Sequence, residues 1–281
     1  MNVNVCEKFQ DVRKWLSYEV IVGNSANINE KLKNYCDNRS CDGIFDKINA
    51  GCLYLFDEFF AGFTQFTSVA NRKINIVDYI LIWLGYMLNL NKINENGTID
   101  LFYETYINNN QKYNKIITGV TGYKTYNELV DIKEDLMSID LKDMSKFYDA
   151  FILLCDICTG VNENNSNCDK NLEKAIKFVE IYDELNEDYY NGIYSPYNQL
   201  LSTLSNDYCN LKNKCNQFPT LPTYSRKFVI KRTLIPIAFM IVALSIFLGI
   251  EYKYSSIGFR KRSQKQCLRE KIKNIMKKMI H

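Results

Sequence analysis

Cysteine is the residue type here whose spacing raises the first chemical question. Cys155-Asp156-Ile157-Cys158 forms a C-x-x-C. Two thiols at that spacing can act as a redox pair or supply half of a zinc site. The redox reading needs a strand ahead of the motif, and the zinc reading needs two further ligands. The motif instead sits within a run of helical periodicity, no second C-x-x-C exists, and the only histidine is His281. The two residues therefore read as structural cysteines or core thiols. Without an internal histidine there is no Ser-His or Cys-His nucleophile system. No Gly-rich phosphate loop is present either. The chain is expected to be no enzyme and to use no cofactor or metal.

Of ten cysteines, nine precede a long apolar run: Cys6, Cys36, Cys41, Cys52, Cys155, Cys158, Cys168, Cys209 and Cys215. Cys267 follows it. Such density ahead of an apolar segment points to an oxidising compartment, so all nine are candidate disulfide cysteines. An odd count leaves at least one of them free or paired between chains. The short connecting segments single out Cys209–Cys215 and Cys155–Cys168 as the expected pairs.

The apolar run, Leu234 to Ile250, holds no charge, and with Thr233 it makes 18 residues. As a helix that length rises about 27 Å, close to a bilayer's hydrocarbon core. Lys231 and Arg232 close one end. Glu251 and Lys253 close the other, with Tyr252 and Tyr254 placed like an interfacial aromatic belt. Pro236 falls in the first turn, where its missing N–H costs little. One transmembrane helix over 233–250 is the expectation. Residues 251–281 carry ten Lys/Arg against Glu251 and Glu270, or +8, and the whole chain carries +3, which leaves −5 for the rest. That asymmetry favours a cytosolic tail. It is opposed by Arg226, Lys227, Lys231 and Arg232 on the near side, against Lys253, Arg260, Lys261, Arg262 and Lys265 on the far side. Met1 to Val20 carries charge throughout and Asn2 is not Gly, so neither a secretory leader nor a myristoylation start is expected there.

Helical periodicity dominates the remainder. Cys6, Phe9, Val12, Leu16 and Val20 share one face. Phe45, Ile48, Cys52, Leu55, Phe59, Phe63 and Phe66 give the strongest repeat, followed by Ile76, Ile80, Trp83, Met87 and Leu90. A shorter segment begins at Leu101, Phe102 and Tyr106 and is expected to reach Ile117. Tyr126, Leu129, Ile132, Leu136 and Ile139 predict one further helix. Asp143 is the expected N-cap of the next, whose face is Phe147, Phe151, Leu154 and Cys158. Leu172 to Leu185 and a helix opened by Ser195-Pro196 complete the set. No strand alternation is found. The expected organisation is a helical ectodomain over 1–217, a Pro-containing stalk over 218–232, the membrane helix over 233–250 and a basic cytoplasmic tail over 251–281. The fold class is therefore all-α: a disulfide-containing extracellular bundle, one C-terminal transmembrane helix and a short tail.

In the tail, Arg260, Lys261, Arg262 and Lys265 are expected at the membrane surface. Leu268, Ile272, Ile275 and Met279 recur at helical spacing, describing either a basic amphipathic helix able to lie on an anionic leaflet or bind a cytosolic partner, or a solvated charged tail. A basic segment this small beside a membrane does not suggest nucleic acid. The aromatic stripe Phe56, Phe59, Phe60, Phe63 and Phe66 reads as core. Sequons at Asn38, Asn96 and Asn164 fall in expected loops. The loops at 23–40, 93–98 and 160–167 are candidates for variable, immune-exposed surface.

Several of these residues recur together in one family. The carriers are Tyr35-Cys36 with Cys41, and Ile48-Asn49-Ala50-Gly51-Cys52-Leu53-Tyr54-Leu55-Phe56. Further carriers are Tyr79 through Leu88, Lys146 through Phe151 with Leu154-Cys155, Ser195-Pro196-Tyr197, and Leu204 through Tyr208. The apolar run and Gly258 through Lys265 extend the set. The chain resembles the Plasmodium interspersed repeat (PIR) proteins, closest to the Yir/Bir/Cir group of rodent malaria parasites. Cys158 departs from the pattern, since an aromatic residue is more usual there. The resemblance implies a helical variant surface antigen in a parasite or infected-cell membrane. It implies roles in immune evasion and host interaction, through an unidentified host-cell receptor or antibody, with no catalysis. The alternative is an internally facing membrane scaffold with a cytosolic helical body and reduced cysteines.

Overall fold

A computed structural model describes residues 1–17, 28–37, 39–61, 70–90, 97–108, 110–117, 122–162, 167–186, 195–223 and 234–279. The chain divides into two compact units, Met1–Ser225 and Arg226–His281. The first contains α1 (Val3–Trp15), α2 (Glu30–Lys33), α3 (Ile44–Phe56), α4 (Ala70–Leu90), α5 (Asp100–Phe102), α6 (Tyr126–Asp131), α7 (Glu134–Met137), α8 (Leu141–Asn162), α9 (Cys168–Asn186) and α10 (Pro196–Lys212). π-Helical turns, Asp57–Ala61 and Tyr103–Ile107, continue α3 and α5, and a 3₁₀ turn covers Gln111–Asn114. Among the described residues, extended pairing is limited to the isolated bridges Asp37–Ser40 and Ile116–Thr125. The expected all-helical, disulfide-bearing body is what the structure shows.

α8 is the centre of this unit. α1, α4, α9 and α10 all pack on it. A helix touched on several sides must be apolar around most of its girth. Met144, Phe147, Tyr148, Phe151, Leu154, Cys155, Ile157 and Cys158 are accordingly all buried. Full burial of each large side chain contributes about 1.5–3 kcal/mol. A glycine allows α4 to approach α8 closely. A Cβ on Gly85 of α4 would lie 2.6 Å from the Met144 Cβ, so any side chain there would force α4 away from α8.

Several helices start and stop where the local chemistry requires. The Ser195 side chain accepts from the Tyr197 backbone N–H at 3.3 Å, and Pro196 opens α10, as the sequence predicts. The cap of α8 is a correction. Asp140, not Asp143, accepts from the Lys142 N–H at 2.7 Å. Asp143 lies within the first turn and instead accepts from Lys146 Nζ at 2.9 Å and from the Tyr197 hydroxyl. The helix expected from Tyr126 to Ile139 is two short ones. The break falls at Lys133, whose ammonium turns inward to meet Asp78 of α4 at 2.7 Å. The segment expected from Leu101 to Ile117 likewise ends early, at Ile107, and resumes only as the 3₁₀ turn. Phe63, Phe66 and Val20 lie outside the described residues. The first part of the expected stalk is docked on the body: Phe218 is buried and Tyr208 donates to the Pro219 carbonyl at 2.8 Å.

The second unit contains α11, an unbroken helix over Ile235–Met279. Among the described residues no helix is long and apolar enough to cross a membrane. This corrects the expected transmembrane helix over 233–250. The helix that carries the apolar residues does not stop with them: it turns charged at Glu251 and continues unbroken to Met279. Tail and apolar run are one helix, not two elements.

The Asp78–Lys133 pair is the most deeply buried ionic contact described, with side chains 0% and 9% exposed. Thr203 and Gln199 of α10 donate to the same carboxylate at 2.7 and 3.0 Å. Burial raises the Asp78 carboxyl above its ordinary value, and Lys133 with those hydrogen bonds only partly offsets that. Replacing Lys133 with Met should cost about 3–5 kcal/mol at neutral pH, because a buried carboxylate loses its counter-charge. A carboxyl whose folded pKa lies above its unfolded value stabilises the fold below that range and loses the contribution as pH rises. The K133M penalty should therefore shrink as pH falls from 7 to 4. The double variant D78N/K133M should recover most of the loss in urea unfolding. An unchanged penalty in the double variant would show that the ionic contact is not its source.

Candidate functional site

The cysteines build a crosslinked framework. Cys6 of α1 bonds Cys155 of α8, Cys36 bonds Cys41, and Cys168 at the start of α9 bonds Cys215 just beyond α10. The expected Cys209–Cys215 and Cys155–Cys168 pairs are not formed. On α10, Cys209 lies six positions before Cys215 and is exposed, whereas Cys215 is buried and faces α9. Cys155 faces α1. Three of the nine candidate disulfide cysteines, Cys52, Cys158 and Cys209, are free thiols, as is Cys267. The C-x-x-C is thus divided, with Cys155 oxidised to a distant partner and Cys158 a buried thiol one turn further on. Burial pushes the Cys52 thiol up to about 12 and raises Cys158 as well. Neither carries the thiolate that redox exchange or metal ligation requires. Among the described residues no group of three or more Cys, His, Asp or Glu side chains is placed to hold a metal ion.

A polar cluster that the sequence reading missed lies at the π-helical turn after α3. Asp57 takes three donors. Lys115 Nζ and the Tyr126 hydroxyl reach Oδ1 at 2.7 and 2.6 Å, and the Tyr35 hydroxyl reaches Oδ2 at 3.0 Å. Burial first, and the Asp57 charge next, push the Tyr35 hydroxyl far above its ordinary range; burial and the bond to Asp57 do the same for Tyr126. Both hydroxyls therefore remain protonated donors. Lys112 reaches the Tyr35 carbonyl at 2.8 Å and Asp37 at 2.6 Å, tying the 3₁₀ turn to the Cys36–Cys41 loop. Tyr35, Asp57, Lys112 and Lys115 edge an open groove of about 640 Å³, completed by Asn34, Leu53, Gln111 and Asn114. The signal was present in the sequence: Asp57-Glu58 interrupts an otherwise apolar run between Phe56 and Phe59.

A second recess, about 250 Å³, lies at the C-terminal end of α4 and is lined by Phe45, Leu88, Phe102, Tyr106 and Leu141. Phe102 stacks on Tyr106 at 4.8 Å between ring centroids, and Phe45 tilts against both. Phe56, Phe59 and Phe60 of the aromatic stripe are buried, as expected of core. Of the expected membrane-surface cations, Lys261, Arg262 and Lys265 are exposed on α11, and Arg260 lies in the same helix. The sequon asparagines Asn38, Asn96 and Asn164 lie outside the described residues, as do parts of each expected variable loop. The surface of the helical body thus offers one hydrogen-bonding groove and one apolar recess.

The family described as "Plasmodium variant antigen protein Cir/Yir/Bir" matches residues 6–253. A solved structure, "Structure of a Plasmodium PIR protein ectodomain", is 29% identical, covers 79% of this chain and 97% of its own, and superposes with a TM-score of 0.63. No curated protein matches significantly.

Two outcomes test the cysteine framework. A maleimide applied to the native protein should label Cys209 and Cys267, and should reach Cys52 and Cys158 only after unfolding, as read by peptide mass spectrometry. Labelling of Cys52 in the folded protein would contradict its burial. The crosslinks should also rank by the loop each closes. In the chain-entropy account a separation of 149 residues is worth about 5 kcal/mol and one of 5 residues about 2 kcal/mol. C6A/C155A should therefore lower Tm well beyond C36A/C41A, and the reverse order would remove the loop-closure explanation.

Proposed function

This chain belongs to the Plasmodium variant antigen family Cir/Yir/Bir, and on that premise we propose that its helical body is displayed at the surface of the parasite or infected host cell. There it meets a host receptor or antibody and serves immune evasion. The observation that carries the reading is the set of three disulfides tying the body together. Such crosslinks persist where the surroundings are oxidising and are rare in reducing cytosol. The description of the similar solved structure as an ectodomain supports the same placement for this body. The family is one of variant antigens rather than a known class of enzymes. Recognition through Asp57, its tyrosine and lysine donors and the neighbouring recess needs no bond-making step.

The body is the part that would be seen by a partner. Its apolar core lies inside, and residues 34–37 and 97–98 are among those that join its helices.

Antibody raised against the folded body should stain unpermeabilised infected cells, and alkylation before lysis should leave Cys6, Cys155, Cys36, Cys41, Cys168 and Cys215 unlabelled. Staining that requires permeabilisation, together with free thiols at those six positions, would replace display with an internal scaffold whose body is cytosolic.

A further inference from the structure

Beyond its apolar run, α11 carries a second pattern that surface display leaves unused. Leu268, Ile272 and Met276 are exposed at 63%, 49% and 53%. They recur every fourth residue, and at about 100° per residue they fall within an arc of about 80° on one side of the helix. Arg269 and Lys273 stand along one edge of that stripe and Lys271 along the other. Lys261 and Lys265 extend its N-terminal end. Glu270, the only acid after Glu251, stands on the opposite side. The segment 261–276 thus holds six cations, Lys261, Arg262, Lys265, Arg269, Lys271 and Lys273, against one acid.

We propose that residues 261–276 bind an anionic lipid surface as a helix lying in its plane. The stripe enters the boundary between headgroups and acyl chains, while the lysine and arginine stems reach back to the phosphates. Charge complementarity selects this occupant. Arg262, Arg269 and Lys273 line one edge of the stripe, Lys271 flanks the other, and Lys261 and Lys265 continue its line toward the N-terminus, so the cations surround the apolar residues as a plane of anionic headgroups requires. A protein groove is recognised through a few deeply buried anchors, most often aromatic, and 261–276 contains no aromatic residue. The proposal concerns this segment alone and rests neither on surface display nor on any bilayer crossing.

The test uses the full chain, taken from mild detergent, partitioned by flotation onto phosphatidylcholine vesicles with and without 30% phosphatidylserine. The neutral vesicles register whatever the run 235–250 contributes, so the readout is the excess on anionic vesicles. That excess should be about tenfold or more at low salt and should largely vanish at high salt, since each cation near the surface contributes a salt-sensitive increment. It should be lost in R269Q/K271Q/K273Q. It should also fall several-fold in L268Q/I272Q/M276Q, which keeps every cation, and charge attraction without burial would leave that variant unchanged. Equal partition onto both vesicle types would overturn the proposal, as would an excess indifferent to the stripe. Displacement from the vesicles by polyglutamate at stoichiometric amounts would assign the segment to an acidic protein instead. Unchanged Tm of the body in both variants excludes misfolding as the cause.

Discussion

The body depends on α8 being buried along most of its length. α1, α4, α9 and α10 reach one another largely through it, so its side chains set the spacing of the whole bundle. Two contacts show how tight that spacing is. Gly85 lets α4 close on Met144, and at the far end Gly160 lets Asn171 of α9 approach to within 2.6 Å of where a Cβ would be. Larger side chains at either position would move a neighbouring helix bodily, because close-packed interiors do not absorb an extra carbon without displacement. The Cys6–Cys155 bond fixes α1 to the same helix, and Phe9 adds an edge-on contact to Phe151 at 4.8 Å between centroids.

This arrangement explains which parts of the fold were legible in the sequence. Helices that bury a stripe against α8 must repeat apolar residues every three or four positions, and α1, α4, α9 and α10 did so, as did α3 against α4. Ser195-Pro196 was legible because a cap followed by a fixed φ acts locally. Features set by distant partners were not. Lys133 breaks a periodic segment because Asp78, far away in the chain, offers a buried carboxylate. Nothing local distinguishes Asp140 from Asp143 as a cap until Tyr197 arrives to engage the latter. The disulfides failed for the same reason. Proximity in sequence suggested Cys155–Cys168, whereas the bundle places α1 and the end of α10 beside the two cysteines instead. The apolar run was legible as composition, but not that its helix continues unbroken into the basic segment.

The Asp57 cluster was unread because its members come from four separate elements. Tyr35 follows α2, Asp57 follows α3, Lys115 follows the 3₁₀ turn and Tyr126 opens α6. Only an acid standing within an apolar periodicity hints at such a hub, and Asp78 within α4 gives the same hint. In both cases the carboxylate collects hydrogen-bond donors from elsewhere, since a buried or half-buried charge without them is costly. The two sites then differ by exposure. Asp78 is sealed among α4, α7 and α10 and acts on stability, whereas Asp57 edges an open groove where further donors or acceptors can enter.

That division bears on how a variant antigen can change. Stability in this body rests on a continuous aromatic core, a sealed ion pair and three crosslinks, two of which tie helices together while Cys36–Cys41 closes a loop. Substitutions at exposed positions away from such features usually move stability by no more than about 0.5 kcal/mol, and segments connecting helices tolerate change in both sequence and length. Disulfides deepen the tolerance by disfavouring the unfolded chain rather than by specifying any surface residue. A bundle organised around α8 can therefore keep its fold while the segments joining its helices diverge. The constraint on divergence is geometric: a new loop must still deliver Cys36 to Cys41, Tyr35 to Asp57 and Lys133 to Asp78, because each of those contacts is made by residues at or beside the loops themselves.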